Sequence, residues 1–341
     1  MRKNNKSSYK TIFELKPLKI GIIGCGRVVE RIYLPAINNF HNIKVTAAID
    51  PIEERRNLVS RKFVECITYK SLDENLIEQV DAAIITTPPD THIGLASEFL
   101  KKNKYVLVEK PLALSMDGLK ELREIESSSR AFLMMGFNHR YWMPVGKLKE
   151  KISGNNKIDF AEMVFTSDYS KWNPVSFISD PLDDLGPHVF DLIRFLFNKE
   201  IVSVSGNSDE KMLQLKIKLD ENFIIHCQLA HCDQTIRSIK VNGVAEKFFI
   251  TFKSVRINPS AGIIRNFLDI NDRIKIKLLQ KTFPFNNSYE MQLKKFFDFI
   301  RLGEAANPGI EDGISAMLAV EAARHSLKNR GKEIFINEIK S

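Results

Sequence analysis

Three groups of residues have types and spacings that could do chemistry. Gly24-Cys25-Gly26-Arg27-Val28 follows directly on the apolar run from Leu18 and opens an amphipathic stretch. A Gly-x-Gly between strand and helix lets the backbone turn sharply and brings its N–H groups, with the positive helix end, close to a pyrophosphate. Asp50 ends the next apolar run, where a carboxylate accepts hydrogen bonds from ribose hydroxyls and repels a 2′-phosphate. Lys110 stands just past the run Tyr105 to Glu109. An ammonium there could stabilise negative charge developing on a reacting oxygen, and a neighbouring cation would lower its pKa. Asp184, His188 and Asp191 recur at i, i+4 and i+7, so one helical face could present two carboxylates and an imidazole for proton transfer.

Each group also has a plainer reading. Two glycines can merely end a strand, and a basic chain carries many solvated lysines. Asp184 could be only the cap of a helix that starts at Pro187, with His188 packed in its first turn, where the positive helix end keeps the ring neutral. Two carboxylates and an imidazole could instead hold a metal ion. His226, Cys227, His231 and Cys232 invite the same thought, but same-face strand residues four or six apart are too distant for one ion. Half-buried strand residues is the reading taken for those four, and no metal site is expected.

The elements that must position these groups follow from the hydropathy pattern. Six short apolar runs, at 18–24, 45–50, near Cys66, and at 81–86, 105–109 and 131–137, alternate with helix-like stretches near 27–38, 53–62, 92–101 and 116–126. That grammar predicts a doubly wound parallel sheet, an α/β Rossmann architecture with ligands at the carboxyl edge of the strands. After Tyr141 long alternating runs follow one another at 159–167, 201–206, 212–219, 223–229, 236–241 and 247–252, framed by helices at 187–197, 289–301 and 313–328. These predict an α+β domain on a large, mostly antiparallel open-faced sheet. The division expected is a flexible basic tail over 1–17, a dinucleotide-binding domain over 18–138, and a substrate-binding and oligomerisation domain over 139–341.

Several of these stretches together carry a resemblance. Glu109-Lys110-Pro111, the segment Asp184 to Asp191 read as D-x-G-x-H-x-x-D, Gly136-Phe137-Asn138-His139-Arg140-Tyr141 and Glu311-Asp312-Gly313 resemble the Gfo/Idh/MocA family, the relatives of glucose-fructose oxidoreductase and inositol dehydrogenase. The resemblance extends over nearly everything after the tail. It implies a nicotinamide-dependent oxidoreductase moving a hydride to or from a carbinol carbon of a sugar, cyclitol or nucleotide-linked sugar. Lys110, Asp184 and His188 would be the catalytic trio, with Asp184 orienting His188 as general acid or base. Gly24, Gly26, Arg27, Val28, Asp50, Arg55, Thr87, Pro88, His92, Glu109 and Lys110 would contact the cofactor. Substrate would meet Lys110, Arg140, Asp184, His188 and Trp172, the last by stacking on a sugar ring, although Arg140 could equally be an interdomain ion pair. Asp50 points to NAD, while Arg55 and Arg56 keep NADP open. Two departures stand out: Val29 replaces the small third residue of the glycine turn, and Ser179-Asp180-Pro181-Leu182 replaces small glycines ahead of the helix. The rival readings are an NAD-dependent glycosidase that oxidises its sugar transiently, and a non-catalytic NAD-binding regulator.

Bulk properties bound the alternatives. At 341 residues, 44% hydrophobic and 27% charged, the chain sits in the ordinary globular range with room for two cores. The net charge of +8 is scattered instead of forming one basic stripe, so anionic small molecules explain it without a nucleic-acid partner. No apolar run is long enough for a membrane span, the start lacks a signal-peptide core, and four sparse cysteines fit a reducing compartment. A cytoplasmic enzyme forming homodimers or homotetramers through its second sheet is the expectation.

Overall fold

The computed structural model describes residues 16–154, 158–168, 180–209, 212–233, 235–243, 247–251, 254–257, 265–266 and 288–340. Trp172, Ser179, Phe252 and most of the basic tail lie outside the described residues.

Strands β1 (Leu18–Ile23), β2 (Ile43–Ile49), β3 (Ile67–Tyr69), β4 (Ala82–Ile85), β5 (Tyr105–Val108) and β6 (Leu133–Met135) form one sheet in the order β3-β2-β1-β4-β5-β6, every pair parallel. Both faces are covered, which is why the runs read as continuously apolar rather than alternating. Ile20, Ile22, Val45, Ile84 and Leu107 face one way, toward a π-helical turn (Val29–Tyr33) and helices α1 (Leu34–Ile37) and α2 (Glu53–Lys62). Ile23, Ile49, Ile85, Val106 and Val108 face the other, toward α3 (Glu74–Gln79), α4 (His92–Lys101) and α5 (Leu119–Ser128). The short α3 was not legible from periodicity. Each such large side chain contributes about 1.5–3 kcal/mol on full burial.

A 3-10 turn (Asn138–Tyr141) and α6 (Met143–Ser153) lead into the second sheet. Its strands are β7 (Ile158–Asp168), β8 (Ile201–Ser208), β9 (Leu213–Leu219), β10 (Ile224–Cys232), β11 (Ile236–Gly243), β12 (Lys247–Thr251), β13 (Ser254–Ile257), β14 (Arg265–Asn266) and β15 (Ile334–Phe335). Among the described residues the order is β14-β13-β12-β11-β7-β10-β9-β8-β15. The pairing is antiparallel except for β7 beside β10. Ala161, Met163, Phe165, Leu215, Ile217, Ile225 and Ile239 pack on α6 and on α7 (Pro181–Phe197). The opposite face mixes polar Glu162, Gln214, Lys216, His226 and Lys240 with Phe160, Val164 and the exposed Ile224. It carries a Lys240–Glu162 ion pair at 2.6 Å.

Helix α7 begins six residues earlier than the pattern suggested. Asp180 is its cap, accepting from Leu182 N at 2.7 Å, and Pro181 takes the first-turn slot assigned to Pro187. Pro187 therefore lies inside the helix, and His188 sits beyond the first turn.

The last long helices return to the first sheet. Leu293, Phe296 and Phe297 of α8 (Ser288–Leu302) join the core under Ile20 and Leu107. Ile310 and Ile314 of α9 (Ile310–Lys328) join the core under Val106, while Val320 and Ala323 of the same helix pack on α7. Arg140 ties these parts together: it gives Asp191 on α7 bonds of 2.6–3.1 Å, Asn307 Oδ1 one of 2.7 Å, and pairs with Asp312 on α9 at 2.8 Å. Both Arg140 and Asp191 are almost wholly buried, so each charge depends on the other. Replacing Asp191 by Ala should lower unfolding free energy by roughly 3–5 kcal/mol, the usual cost of orphaning one partner of a buried pair. Urea denaturation followed by circular dichroism measures it; a loss below about 1 kcal/mol would refute this account of the joint.

Candidate active site

The glycine turn is fixed by its neighbours. Gly24 adopts a φ of +86°, donates to Ile49 O at 2.8 Å, and accepts from Thr86 Oγ1 at 2.6 Å. A Cβ there would lie 2.9 Å from Thr87 N, so only glycine fits. Gly26 differs: a Cβ on it would meet nothing within 4 Å. Protein packing therefore does not require this glycine, and the open space beside it is room for a ligand's phosphate. Asp50, buried at the end of β2, accepts from Cys25 N at 2.8 Å and from Ile52 N at 2.9 Å. Its carboxylate thus holds the turn as well as facing the site. Val29 is buried in the core, and the first turn it begins is the wider π form.

A cleft of about 1190 Å³ is lined both by this turn and by residues from the second unit. Of the residues singled out in the sequence, Gly24, Gly26, Arg27, Val28, Asp50, Arg55, Thr87, Pro88, Glu109, Lys110, Asp184 and His188 line it. The donor set, the glycine cradle and the size all fit a dinucleotide.

Lys110 follows β5 through a cis peptide to Pro111, and its Nζ lies 2.8 Å from both Asp184 Oδ1 and Asp184 O. Asp184 Oδ2 accepts from His231 Nε2 at 3.2 Å. Burial would raise the Asp184 carboxyl, but the Lys110 ammonium and His231 hold it well below the usual carboxylate range. Behind the lysine, Glu109 Oε1 accepts from the Tyr33 hydroxyl at 2.6 Å and Oε2 from Lys110 N at 3.1 Å. Gln292 on α8 donates to that hydroxyl at 3.2 Å, so a helix near the C-terminus backs the lysine's strand. Burial pushes the Glu109 carboxyl up.

His188 is buried, and its Nδ1 has no hydrogen-bond partner among the described residues. Its ring meets His139 edge to face, with centroids 4.1 Å apart. Burial, and then His139, Lys110 and Arg237, drive its pKa well below the ordinary histidine value, so the ring is neutral. The sequence also implied a neutral ring but for another reason: the helix starts too early for its positive end to act here. Asp184 does not orient His188 as expected, because both its oxygens are committed to Lys110 and His231. Asp191 belongs to the Arg140 joint, so the i, i+4, i+7 set divides between two jobs.

Two further expectations are corrected. Arg140 does not line the cleft; three acceptors on α7, α9 and the loop before it saturate its fork. His92 does not line it either: its ring nitrogens meet Pro111 O at 2.8 Å and Thr87 O at 2.9 Å. It braces the lysine loop against the Thr87 turn. Sequence reasoning missed His231, His139, Arg237, Thr235, Ser167 and Tyr289, of which all but His231 line the cleft. For His231 and Arg237 the alternation of β10 and β11 gave a face, and only strand pairing could bring them to Asp184; His139 and Tyr289 arrive on the 3-10 turn and on α8. Among the described residues no cluster of three or more His, Cys, Asp or Glu is arranged to hold a metal ion, and no helix is long and apolar enough to cross a membrane.

Comparison with known proteins agrees with this geometry. Residues 18–137 match the family model described as "Oxidoreductase family, NAD-binding Rossmann fold". Inositol 2-dehydrogenase of Rhizobium meliloti is 28% identical over 196 residues, spanning 56% of this chain and 58% of that relative. Myo-inositol 2-dehydrogenase of Thermotoga maritima is 25% identical over 335 residues, 92% of this chain and 97% of the relative. A solved scyllo-inositol dehydrogenase from Lactobacillus casei, with bound NAD(H) and scyllo-inositol, covers 94% of this chain and 100% of its own at a TM-score of 0.75 and 16% identity, a likeness of fold. A probable dehydrogenase from Thermotoga maritima covers the same share of this chain at a TM-score of 0.77 and 23% identity. With the glycine turn, the lysine after the fifth strand and the aspartate-histidine helix meeting in one cleft, residues 18–137 match an NAD-binding Rossmann fold of the Gfo/Idh/MocA oxidoreductases, and the chain as a whole is similar to inositol dehydrogenases.

Proposed function

We propose that this chain is an NAD-dependent dehydrogenase acting on a carbinol or carbonyl carbon of a sugar or cyclitol, with Lys110, Asp184 and His188 as its working groups. The observation that carries the reading is the 2.8 Å contact between Lys110 Nζ and Asp184 Oδ1 in the cleft that also holds the glycine turn. Relatives named for inositol and glucose-6-phosphate support a polyol ring as substrate.

The nicotinamide ring, when bound, supplies or accepts the hydride. Lys110 donates a hydrogen bond to the reacting oxygen, stabilising its alkoxide character in a site mostly shut off from water. Asp184 keeps that ammonium charged and aimed. The neutral imidazole of His188 takes the hydroxyl proton in oxidation and returns it in reduction. Asp50 reads the ribose hydroxyls and favours NAD, while Arg55, lining the same cleft, tempers the selectivity. Self-association through the outer face of the second sheet belongs to the same reading, since that face exposes Ile224 beside its charged residues.

Incubation with NAD and a panel of cyclitols and hexoses, followed by NADH absorbance, tests the proposal. Steady accumulation of NADH is expected; NAD binding by calorimetry without turnover of any member would sink it, and cleavage of a glycoside without net NADH would move it to the glycosidase class. Lys110→Ala should lower kcat about 10²- to 10⁴-fold while the Kd for NAD stays within about threefold; an unchanged kcat refutes the assignment. Because His188 titrates below the free histidine value near 6.5, the acid limb of kcat/KM should fall below that pH and disappear in His188→Gln; a limb above it would assign the proton to another group. Asp50→Asn should reduce the kcat/KM preference for NAD over NADP by about tenfold, or about 1.4 kcal/mol, and an unaltered ratio overturns that role.

A further inference from the structure

The cleft holds a second buried cation that hydride transfer from a neutral polyol does not need. Arg237 on β11 pairs in register with Phe165 of β7 and is only 9% exposed, yet it lines the cleft together with Lys110, Asp184 and His188. Its guanidinium lies 5.1 Å from the Phe165 ring centroid, and its Nη1 donates to the carbonyls of Thr166 and Ile236. Both of these hydrogen bonds come from Nη1. Burial pulls the guanidinium down to about 10, with Asp184 and Tyr289 pulling back, so it keeps its charge at neutral pH despite the cost of desolvation. Asp184, the carboxylate whose field reaches it, is already bonded to Lys110 and His231.

Two hydroxyl-bearing residues share the cleft with it. Thr235 lies two residues before Arg237, and its Oγ1 accepts from Asp168 N at 3.2 Å, which leaves its own hydrogen to donate. Ser167, on the strand paired with β11, lines the same cleft. A planar fork flanked by hydroxyl donors matches the oxygens of a carboxylate or phosphate, and it is a costly way to bind a neutral hydroxyl.

We propose that Arg237, Thr235 and Ser167 form an anion subsite, and that the substrate is a polyol ring bearing a carboxylate or phosphate group. Arg237 holds that group while Lys110 engages the reacting oxygen, so the anionic substituent fixes which ring carbon is presented. This inference rests on the dehydrogenase reading for the identity of the site, but its binding half can be measured without turnover.

The test compares three arms: a neutral hexose or cyclitol, the corresponding uronate, and the corresponding monophosphate. The holoenzyme should turn over one of the two acids with kcat/KM about 10- to 100-fold above the neutral compound, the range that charge-assisted hydrogen bonds give. Which acid wins separates carboxylate from phosphate. Arg237→Gln should erase the preference, the acid losing about 10- to 100-fold in kcat/KM relative to the neutral compound, and Arg237→Lys should restore only part of it. In the cofactor-free protein, calorimetry should detect the preferred acid binding to the wild type and not to Arg237→Gln. Equal or better turnover of the neutral compound, or an equal loss in all arms on Arg237→Gln, overturns the subsite and makes Arg237 a strand brace. If nothing in any arm consumes NAD yet the acid binds and Arg237→Gln abolishes that binding, the dehydrogenase reading fails while the subsite stands.

Discussion

The structure depends on one ion pair, Lys110 with Asp184, whose partners come from different sheets' territories. Lys110 is set by β5 of the parallel sheet and Asp184 by α7, which rests on the second sheet. Their side chains are 17% and 24% exposed, so the pair sits where water screens weakly and each charge would be costly alone. A contact of 2.8 Å survives only if both supports are rigid. The Coulomb attraction does not create that rigidity; the packing behind it does.

That packing has two layers, and the C-terminal helices supply both. On the lysine's side, Gln292 of α8 bonds the Tyr33 hydroxyl, Tyr33 bonds Glu109, and Glu109 receives the backbone N–H of Lys110 itself. On the aspartate's side, α7 and α9 approach closely at Gly186, where a Cβ would come 3.3 Å from Val320. Arg140 then clamps α7 through Asp191 and α9 through Asp312. Segments far apart in sequence thus converge on the geometry of one ammonium, and the cleft is a property of the whole described chain more than of either sheet.

Local signals were legible in the sequence and partnership was not. The six parallel strands, the glycine turn and the position of Lys110 after β5 could be read because each follows from short-range pattern and from the rule that ligands sit at the carboxyl edge. Arg140 was located with two readings, substrate contact or interdomain ion pair, and local pattern could not choose the second because Asn307 and Asp312, which help occupy its fork, lie at the other end of the chain. His231 and Arg237 were read as strand residues or passed over, since a period of two gives a face and not a neighbour; the pairing of β7 with both β10 and β11 brings them to the site. The start of α7 was misread because Pro181 and Pro187 are equally acceptable at a first helical turn, and only the Asp180 cap decides between them.

The electrostatics of the cleft set a limit on how protons move through it. Lys110 and Arg237 both press on His139 and His188, and burial presses in the same direction, so the two imidazoles are held neutral side by side. Their near-perpendicular contact at 4.1 Å is compatible with at most one positive charge, because two at that distance in a poorly screened interior would repel strongly. Any proton taken up by His188 is therefore strongly disfavoured unless negative charge arrives with it. In the proposed reaction, an alkoxide forming beside Lys110 would supply that charge only during turnover. Proton uptake at His188 and charge development at the reacting oxygen would then be coupled, and the field that keeps the resting ring neutral would make it a base only when substrate is in place.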